Sequence, residues 1–289
     1  MSAGVAIDPR AKAVESVKKI TTVATLPEIT SKIIATVEDP RSSAAQLHKI
    51  VSHDPALVVR ILKVVNSSFY GLPGQINSIE RAIVMLGLNA VKNIAVAASL
   101  GQLFRGTKLC DGFTMKDLWT HCVAVAVASR ELAKKVKPAL ADEAFLAGMI
   151  HDTGMLVSLQ LWPEAMKSVC EKAKKSTQSF CEIEEAAVGT NHQAMGGVLA
   201  ATWKFPAGCQ AVAAYHHDVN SAPADQRTLV AIVAAADVIC CQTKHGFNLT
   251  AAHETIESLG VSDIIPADAV QAVSEKLDTL LADAANLTA

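Results

Sequence analysis

An adjacent histidine and aspartate, His151 and Asp152, interrupt the otherwise apolar run from Phe145 to Met155. A buried carboxylate is costly unless it is hydrogen-bonded, paired with a cation, protonated or bound to a metal ion. The chain must therefore fold so that Asp152 meets a compensating partner. Few cations lie nearby in the sequence, whereas further histidines follow in similar apolar settings. Metal coordination is the specific hypothesis, and a metal-free polar pair within the core is the alternative.

The composition predicts an all-α fold. Of the 289 residues, 51% are hydrophobic and only 4% are aromatic. Proline and glycine are too sparse for a loop-rich β protein, and the spans between them exceed ordinary strand length. The polar, glycine-containing segment from Arg105 to Gly112 is interpreted as the link between two helical units, residues 1–108 and residues 109–289.

Charge and hydropathy exclude several classes of partner. The formal net charge of −2 gives no excess of positive charge of the kind that binds nucleic acid. The start, Met1 to Arg10, lacks the pattern of a signal peptide. The longest apolar run, Leu229 to Cys241, is too short to span a bilayer and contains Asp237. The seven cysteines include no C-x-x-C pair and are interpreted as reduced core thiols. We therefore expect a cytoplasmic protein that binds neither nucleic acid nor membranes.

Histidine and aspartate residues recur in or beside the apolar helical runs of the second unit. Imidazole and carboxylate ligands without a thiolate suit iron, manganese, zinc or cobalt. The set is larger than one ion normally takes from a protein, so two ions bridged by Asp152 would use it economically. Another pair, His53-Asp54, is instead predicted to cap a helix, because Pro55 follows it. The candidate metal ligands are His121, His151, Asp152, His192, His216, His217 and Asp237.

Several short motifs in the first unit form a distinctive series. They are Leu26-Pro27, Asp54-Pro55, Asn66-Ser67-Ser68-Phe69-Tyr70-Gly71, Ile79 with Arg81-Ala82-Ile83, and Leu86-Gly87. This series resembles the N-terminal helical bundle of HDOD proteins, a family named as an output-domain relative of the HD phosphohydrolases. The resemblance runs from about Leu26 to at least His217. It implies an N-terminal HDOD bundle, residues 1–108, packed on an HD-like helical domain, residues 109–289.

The second unit is similar to the HD superfamily, and its His216-His217 pair is similar to that of the HD-GYP phosphodiesterases, which open cyclic dinucleotides. This resemblance implies metal-ligand roles for all of the candidate residues. The active enzymes carry His-Asp-x-Gly-Lys, in which the lysine meets the phosphate, but Met155 stands at that position here. The Gly-Tyr-Pro signature is also absent, and Leu156 to Pro163 occupy its place. Methionine cannot stabilise charge on a transferring phosphoryl group. A metal site without its phosphate clamp is therefore expected.

These features together predict a non-catalytic signal-transduction module that acts through contacts with other signalling proteins. The expected cofactor is a binuclear centre of divalent metal, with iron as the first choice and manganese or zinc next. One alternative is a metal-dependent phosphohydrolase that acts on a nucleotide or a cyclic dinucleotide. The other is a di-iron sensor of redox state or oxygen.

Overall fold

All regular secondary structure in the described part of the chain is helical. The structure is a computed structural model, and it describes residues 8–20, 26–37, 39, 41–67, 69–104 and 108–283. Within these ranges there is no strand, and Cys110 and Phe113 form an isolated β-bridge. The all-α prediction is confirmed. Residues 1–7, Ser68 of the distinctive motif and residues 105–107 of the expected link lie outside the described residues.

The first unit is a bundle in which α2, α3, α4 and α5 pack around α6. The α6 helix is buried along nearly its whole length, from Ala90 to Leu100. The helices are α1 (Pro9–Lys19), α2 (Glu28–Val37), α3 (Ala44–Val51), α4 (Pro55–Val65), α5 (Ile79–Leu86) and α6 (Leu88–Leu100), followed by a 3-10 turn at Gly101–Leu103.

Capping side chains fix where these helices begin. The Asp54 carboxylate accepts a hydrogen bond of 2.9 Å from the backbone N–H of Leu57, and Pro55 takes the first position of α4. The capping interpretation of His53-Asp54 is therefore confirmed. Ser43 and Gln46 form a reciprocal capping box at the start of α3.

The second unit is built around α7, which packs along α8 and α14. The apolar run Leu229 to Cys241 forms the buried length of α14. The helices are α7 (Met115–Val136), α8 (Ala141–Ile150), α9 (Gly154–Leu161), α10 (Pro163–Ala173), α11 (Phe180–Val188), α12 (His192–Thr202), α13 (Ala207–Tyr215), α14 (Arg227–Gln242), α15 (Ala267–Ser274) and α16 (Leu277–Asp283), with 3-10 turns at Pro138–Leu140 and Val219–Ser221.

Glycine allows α12 to lie unusually close to both of its neighbours. A Cβ added at Gly154 of α9 would lie 2.8 Å from the carbonyl carbon of His192 and 2.6 Å from the nitrogen of Gly196. A Cβ added at Gly197 would lie 2.7 Å from the Cβ of Ala214 on α13. Backbone atoms block the first position, so only glycine fits there. These approaches bring the start of α12 against the turn that carries His151 and Asp152.

Contacts between the units include two helix pairs. The α1 helix lies against α12, and the Thr190 hydroxyl donates a 2.8 Å hydrogen bond to the carbonyl of Pro9. The α6 helix lies against α8, where the Asn93 amide donates to the carbonyl of Asp142 at 2.9 Å.

One stretch of the described residues, Pro138–Leu161, is long and apolar enough by length and composition to cross a membrane, but 83% of its most apolar window is buried inside the protein.

Candidate metal centre

The structure brings all of the predicted ligands together from separate elements of the second unit. They are His121 on α7, His151 and Asp152 in the turn after α8, His192 at the start of α12, His216 and His217 after α13, and Asp237 on α14. The most exposed of these side chains, that of His217, is only 4% accessible to solvent. The site is therefore an enclosed cluster within the core.

Asp152 lies at the centre of this cluster, and its two oxygens face different imidazoles. The Oδ1 atom is 3.5 Å from the Nε2 atoms of both His192 and His216. The Oδ2 atom is 3.7 Å from His121 Nε2 and 3.4 Å from His151 Nε2. One carboxylate thus faces two separate groups of donors.

Each group has the composition of a metal site. In the first group, Asp237 Oδ1 is 3.0 Å from His121 Nε2 and 4.0 Å from His151 Nε2. In the second group, Asp152 joins three histidines, and the Nε2 atoms of His192 and His217 lie 3.0 Å apart. Within each group, one donor atom from every residue lies within 4.8 Å of the others. The two groups could therefore hold one ion each.

The opposite nitrogen of every ring faces a fixed acceptor. When Nδ1–H donates to such an acceptor, the Nε2 lone pair is left facing the pocket, as metal binding requires. The acceptors are the carbonyls of His245 for His121 (3.3 Å), Gly148 for His151 (2.7 Å) and Val212 for His216 (3.0 Å), and the carboxylates of Glu184 for His192 (2.6 Å) and Glu254 for His217 (2.9 Å).

Several pocket atoms make no hydrogen bond to the described part of the chain. They are the Nε2 atoms of His121, His151 and His216, and both carboxylate oxygens of Asp152. Each unpartnered buried polar atom costs about 1–3 kcal/mol. A divalent cation in each group would give all of these atoms a partner, so the residues fit a pair of metal ions. The mixture of imidazole nitrogen and carboxylate oxygen suits iron, manganese or zinc.

The histidines keep both aspartates ionised inside the core. Burial would raise the pKa of Asp152, but the neighbouring imidazoles, His151 foremost, hold it well below its usual range. Burial likewise opposes ionisation of Asp237, and the nearby imidazole of His121, 3.0 Å from Oδ1, lowers the pKa of that carboxyl. The pocket therefore contains two ionised carboxylates that a cation could bind.

The histidines of the second group differ in how strongly they hold protons. Burial and the adjacent His217 lower the pKa of His216 to about 3, so its ring is neutral. Burial opposes protonation of His217, but Glu254 raises its pKa to about 9. The pKa of His192 is raised well above its usual value by Glu184, again against burial. Two protonated rings whose Nε2 atoms are 3.0 Å apart would repel each other, and a metal ion held by these rings would relieve the repulsion by taking the place of the protons.

Sequence reasoning missed the carboxylates behind two of these rings. Glu184 is fully buried and shares the buried face of α11 with Phe180, Ile183 and Val188. A charged residue at a core position of a helical pattern was the signal that could have identified it. Glu254 lies in an irregular segment after α14, where no periodic pattern marks it.

A nearby cavity does not open onto the predicted ligands. It has a volume of about 800 Å³ and lies between α1, α12 and α13, with Arg10, Gln193 and Tyr215 in its lining. None of the predicted ligands lines it. Met155, at the position of the lysine in the active enzymes, is fully buried in the hydrophobic core.

Comparisons with known proteins agree on the fold. The family model for the HDOD domain matches residues 23–219. A protein of Marinobacter aquaeolei VT8, provisionally named a signal transduction protein, superposes with a TM-score of 0.77 at 21% identity and covers 99% of this chain and 68% of its own. A protein of Shewanella amazonensis SB2B, provisionally named a phosphohydrolase, has a TM-score of 0.76 at 21% identity, over 96% of this chain and 97% of its own.

A curated relative is longer than this chain. It is an uncharacterised protein of Treponema pallidum (strain Nichols), 24% identical over 217 residues. The match covers 74% of this chain and 42% of the relative, so the chain spans less than half the length of that protein.

Proposed function

Since this chain belongs to the HDOD family, we propose that it is a non-catalytic signal-transduction module that acts through contacts with other proteins and retains a His/Asp metal site. The seven candidate ligands would hold two divalent ions, with Asp152 facing both. Iron is our first choice of metal, and manganese or zinc comes next. A bound pair of ions would supply Lewis acidity and, if iron, a change of redox state.

The enclosure of the donor atoms is the observation that carries this proposal. None of the seven side chains is more than 4% exposed. A catalytic metal keeps an open coordination position, and a phosphodiester needs a cleft that admits it. Donors this deeply buried suit ions that stabilise a conformation, rather than ions that turn over a bulky substrate.

The residue at the phosphate-clamp position supports the same conclusion. Met155 is fully buried and apolar, so it offers no cation to a phosphoryl group. Removal of one preorganised charge contact of this kind commonly lowers the rate by about 10²–10³. A chain that keeps the metal ligands of the active enzymes but lacks this contact to the phosphate is better suited to signalling than to hydrolysis.

A metal-dependent phosphohydrolase is the second candidate, because one observation favours it. Asp152 presents one oxygen to each group of donors, which is how a carboxylate bridges the ion pair of a two-metal hydrolase. In that case the substrate would be a nucleotide or a cyclic dinucleotide, and it would have to reach the pocket through a rearrangement of the surrounding helices.

Metal analysis and a hydrolysis assay on the same preparations separate these functions. The full chain, purified without added metal, is analysed for iron, manganese and zinc, and is then assayed with a chromogenic phosphodiester and added Mn²⁺ or Fe²⁺. We expect about two equivalents of metal and no turnover above that of Asp152→Ala. The matched control is Asp218→Ala, which removes an exposed carboxylate beside His217.

Each half of the proposal can fail on its own. A two-metal site holds a pair of ions. A metal content below about a tenth of an equivalent would therefore refute the proposed metal centre. Turnover that requires metal, disappears in Asp152→Ala and persists in Asp218→Ala would establish the phosphohydrolase and overturn the non-catalytic module.

A further inference from the structure

A third cluster of ligating side chains lies beside the predicted centre. Cys181 and Glu184 on α11 and His192 at the start of α12 each place one donor atom within 4.8 Å of the others. Only His192 belongs to the seven predicted ligands. Of these three residues, His192 is the one that faces both the predicted centre and the third cluster, because its Nε2 atom is directed to Asp152 and its Nδ1 atom to Glu184 on α11.

Glu184 has one carboxylate oxygen that its hydrogen bonds with His192 do not use. Its Oε2 atom alone accepts both hydrogen bonds from His192, at 2.9 Å from the backbone nitrogen and 2.6 Å from Nδ1. The other oxygen, Oε1, makes no hydrogen bond to the described part of the chain, although the residue is fully buried. Leaving such an atom unpartnered costs about 1–3 kcal/mol or more. Orientation of the imidazole does not explain that cost, whereas a cation would offset it.

Cys181 completes the set with a sulfur atom. Its Sγ atom lies 3.9 Å from His192 Nδ1, and the Gln193 side-chain amide donates to it at 3.6 Å. The residue is half-buried, whereas the other two members of this cluster are fully buried. A sulfur, an imidazole nitrogen and a carboxylate oxygen form a ligand set that suits a borderline-soft divalent ion.

We propose that Cys181 Sγ, the carboxylate of Glu184 and His192 Nδ1 bind a third divalent ion, of the class of Zn²⁺. Binding displaces the thiol proton of Cys181 and the Nδ1 proton of His192, and both protons go to solvent. When the inner centre is also loaded, the His192 ring bridges two ions, so occupancy of each site changes the affinity of the other. This linkage rests on the proposed function, but the outer site itself does not require the inner ions.

Cobalt is the probe that identifies the sulfur ligand. The metal-free full chain is titrated with Co²⁺, the near-ultraviolet thiolate-to-cobalt charge-transfer band is recorded, and bound metal is counted by equilibrium dialysis. We expect the band, with about three equivalents bound. In Cys181→Ser the band is lost and about two equivalents remain, and Cys181→Ala serves as a second variant if the serine form does not fold.

A second thiol near the pocket provides the matched control. Cys241 Sγ donates to Asp237 Oδ1 at 3.4 Å, so it is the competing source of a thiolate band. We expect Cys241→Ser to keep the band. A band that survives in Cys181→Ser, or that disappears in Cys241→Ser, overturns the assignment.

The stoichiometry separates failure of this inference from failure of the proposed function. If the wild-type chain binds about two equivalents without a band, the outer site is wrong and the inner centre stands. If it binds about one equivalent with a band that Cys181→Ser removes, the outer site stands and the inner centre falls. If it binds no cobalt, both fall.

Discussion

Removal of metal should destabilise this protein strongly, because buried pocket atoms that lack hydrogen bonds would lose the ions that we propose as their partners. Five of them, three imidazole nitrogens and the two oxygens of Asp152, make no hydrogen bond to the described part of the chain. At the low end of about 1 kcal/mol for each unpartnered atom, the metal-free fold loses about 5 kcal/mol. In a domain of about this size, 1 kcal/mol shifts the melting temperature by about 2–4 °C. We therefore expect a chelated sample to melt about 10–20 °C below a loaded one.

Differential scanning calorimetry of one preparation before chelation, after chelation and after reloading measures this shift. In Asp152→Ala, which removes the carboxylate that faces both donor groups, reloading should no longer restore the melting temperature. In Asp218→Ala, which removes an exposed carboxylate, the shift should be retained. If chelated and loaded samples melt within about 2 °C of each other, the five atoms cost less than about 1 kcal/mol in total. The pocket would then be a metal-free polar core, and the reasoning from unpartnered atoms would be refuted.

Two further substitutions test the packing and the support of the pocket. Gly154→Ala places a Cβ against the backbone of His192, 2.8 Å from its carbonyl carbon, so α9 must move away from α12. We expect urea unfolding of this variant to show a loss of about 3 kcal/mol in the free energy of unfolding, together with reduced metal content. The control is Gly101→Ala, whose new Cβ meets only a side-chain ring and should cost far less. Equal losses in the two variants would disprove close helix packing as the cause. Glu184→Gln keeps the side-chain shape but removes the charge behind one imidazole, and equilibrium dialysis should show metal affinity reduced about 10–100-fold. The exposed Glu257→Gln serves as its control, and unchanged affinity in both variants would rule out a role for the Glu184 charge.

Polar residues inside apolar helical runs made the position of the site predictable. Asp152 had to be compensated, and the histidines in the other apolar runs of the second unit offered suitable chemistry. Their convergence follows from that physical requirement, although no local pattern states which helices pack together. The same reasoning distinguished His53-Asp54, because the following Pro55 supplied a local explanation for that carboxylate, and the structure confirms the cap.

Contacts between residues distant in the sequence escaped prediction for a physical reason. Periodicity reports which face of a helix is buried, but it does not report which partner buries it. The α1 helix was assigned to the first unit, yet it lies against α12. Glu254 supports His217 from an irregular segment after α14, where no repeat distinguishes it from the exposed residues around it. The boundary between residues 108 and 109 stays a prediction.

A signalling role would require the candidate metal centre to communicate with the first unit, and α7 provides a direct physical link. It carries His121 and, further along, Arg130. The guanidinium of Arg130 lies 4.7 Å from the ring centre of Tyr70 and 5.0 Å from that of Phe69. Both aromatic residues belong to the most distinctive motif of the first unit. Asp142, near the start of α8, lies 3.6 Å from Arg130 Nε.

The α8 helix then continues directly into the turn that carries His151 and Asp152. Two of the elements that hold the first group of donors, α7 with His121 and the turn after α8 with His151, are therefore linked to the aromatic motif through Arg130. A change in the spacing of α7 and α8 would alter both the donor group and the contact with the motif. A contact between Arg130 and the two aromatic rings contributes about 0.5–2 kcal/mol. If metal binding makes or breaks this contact, the affinity of the first unit for a partner changes by about 2–30-fold. Because coupling between binding sites is reciprocal, the partner must change the metal affinity by the same factor.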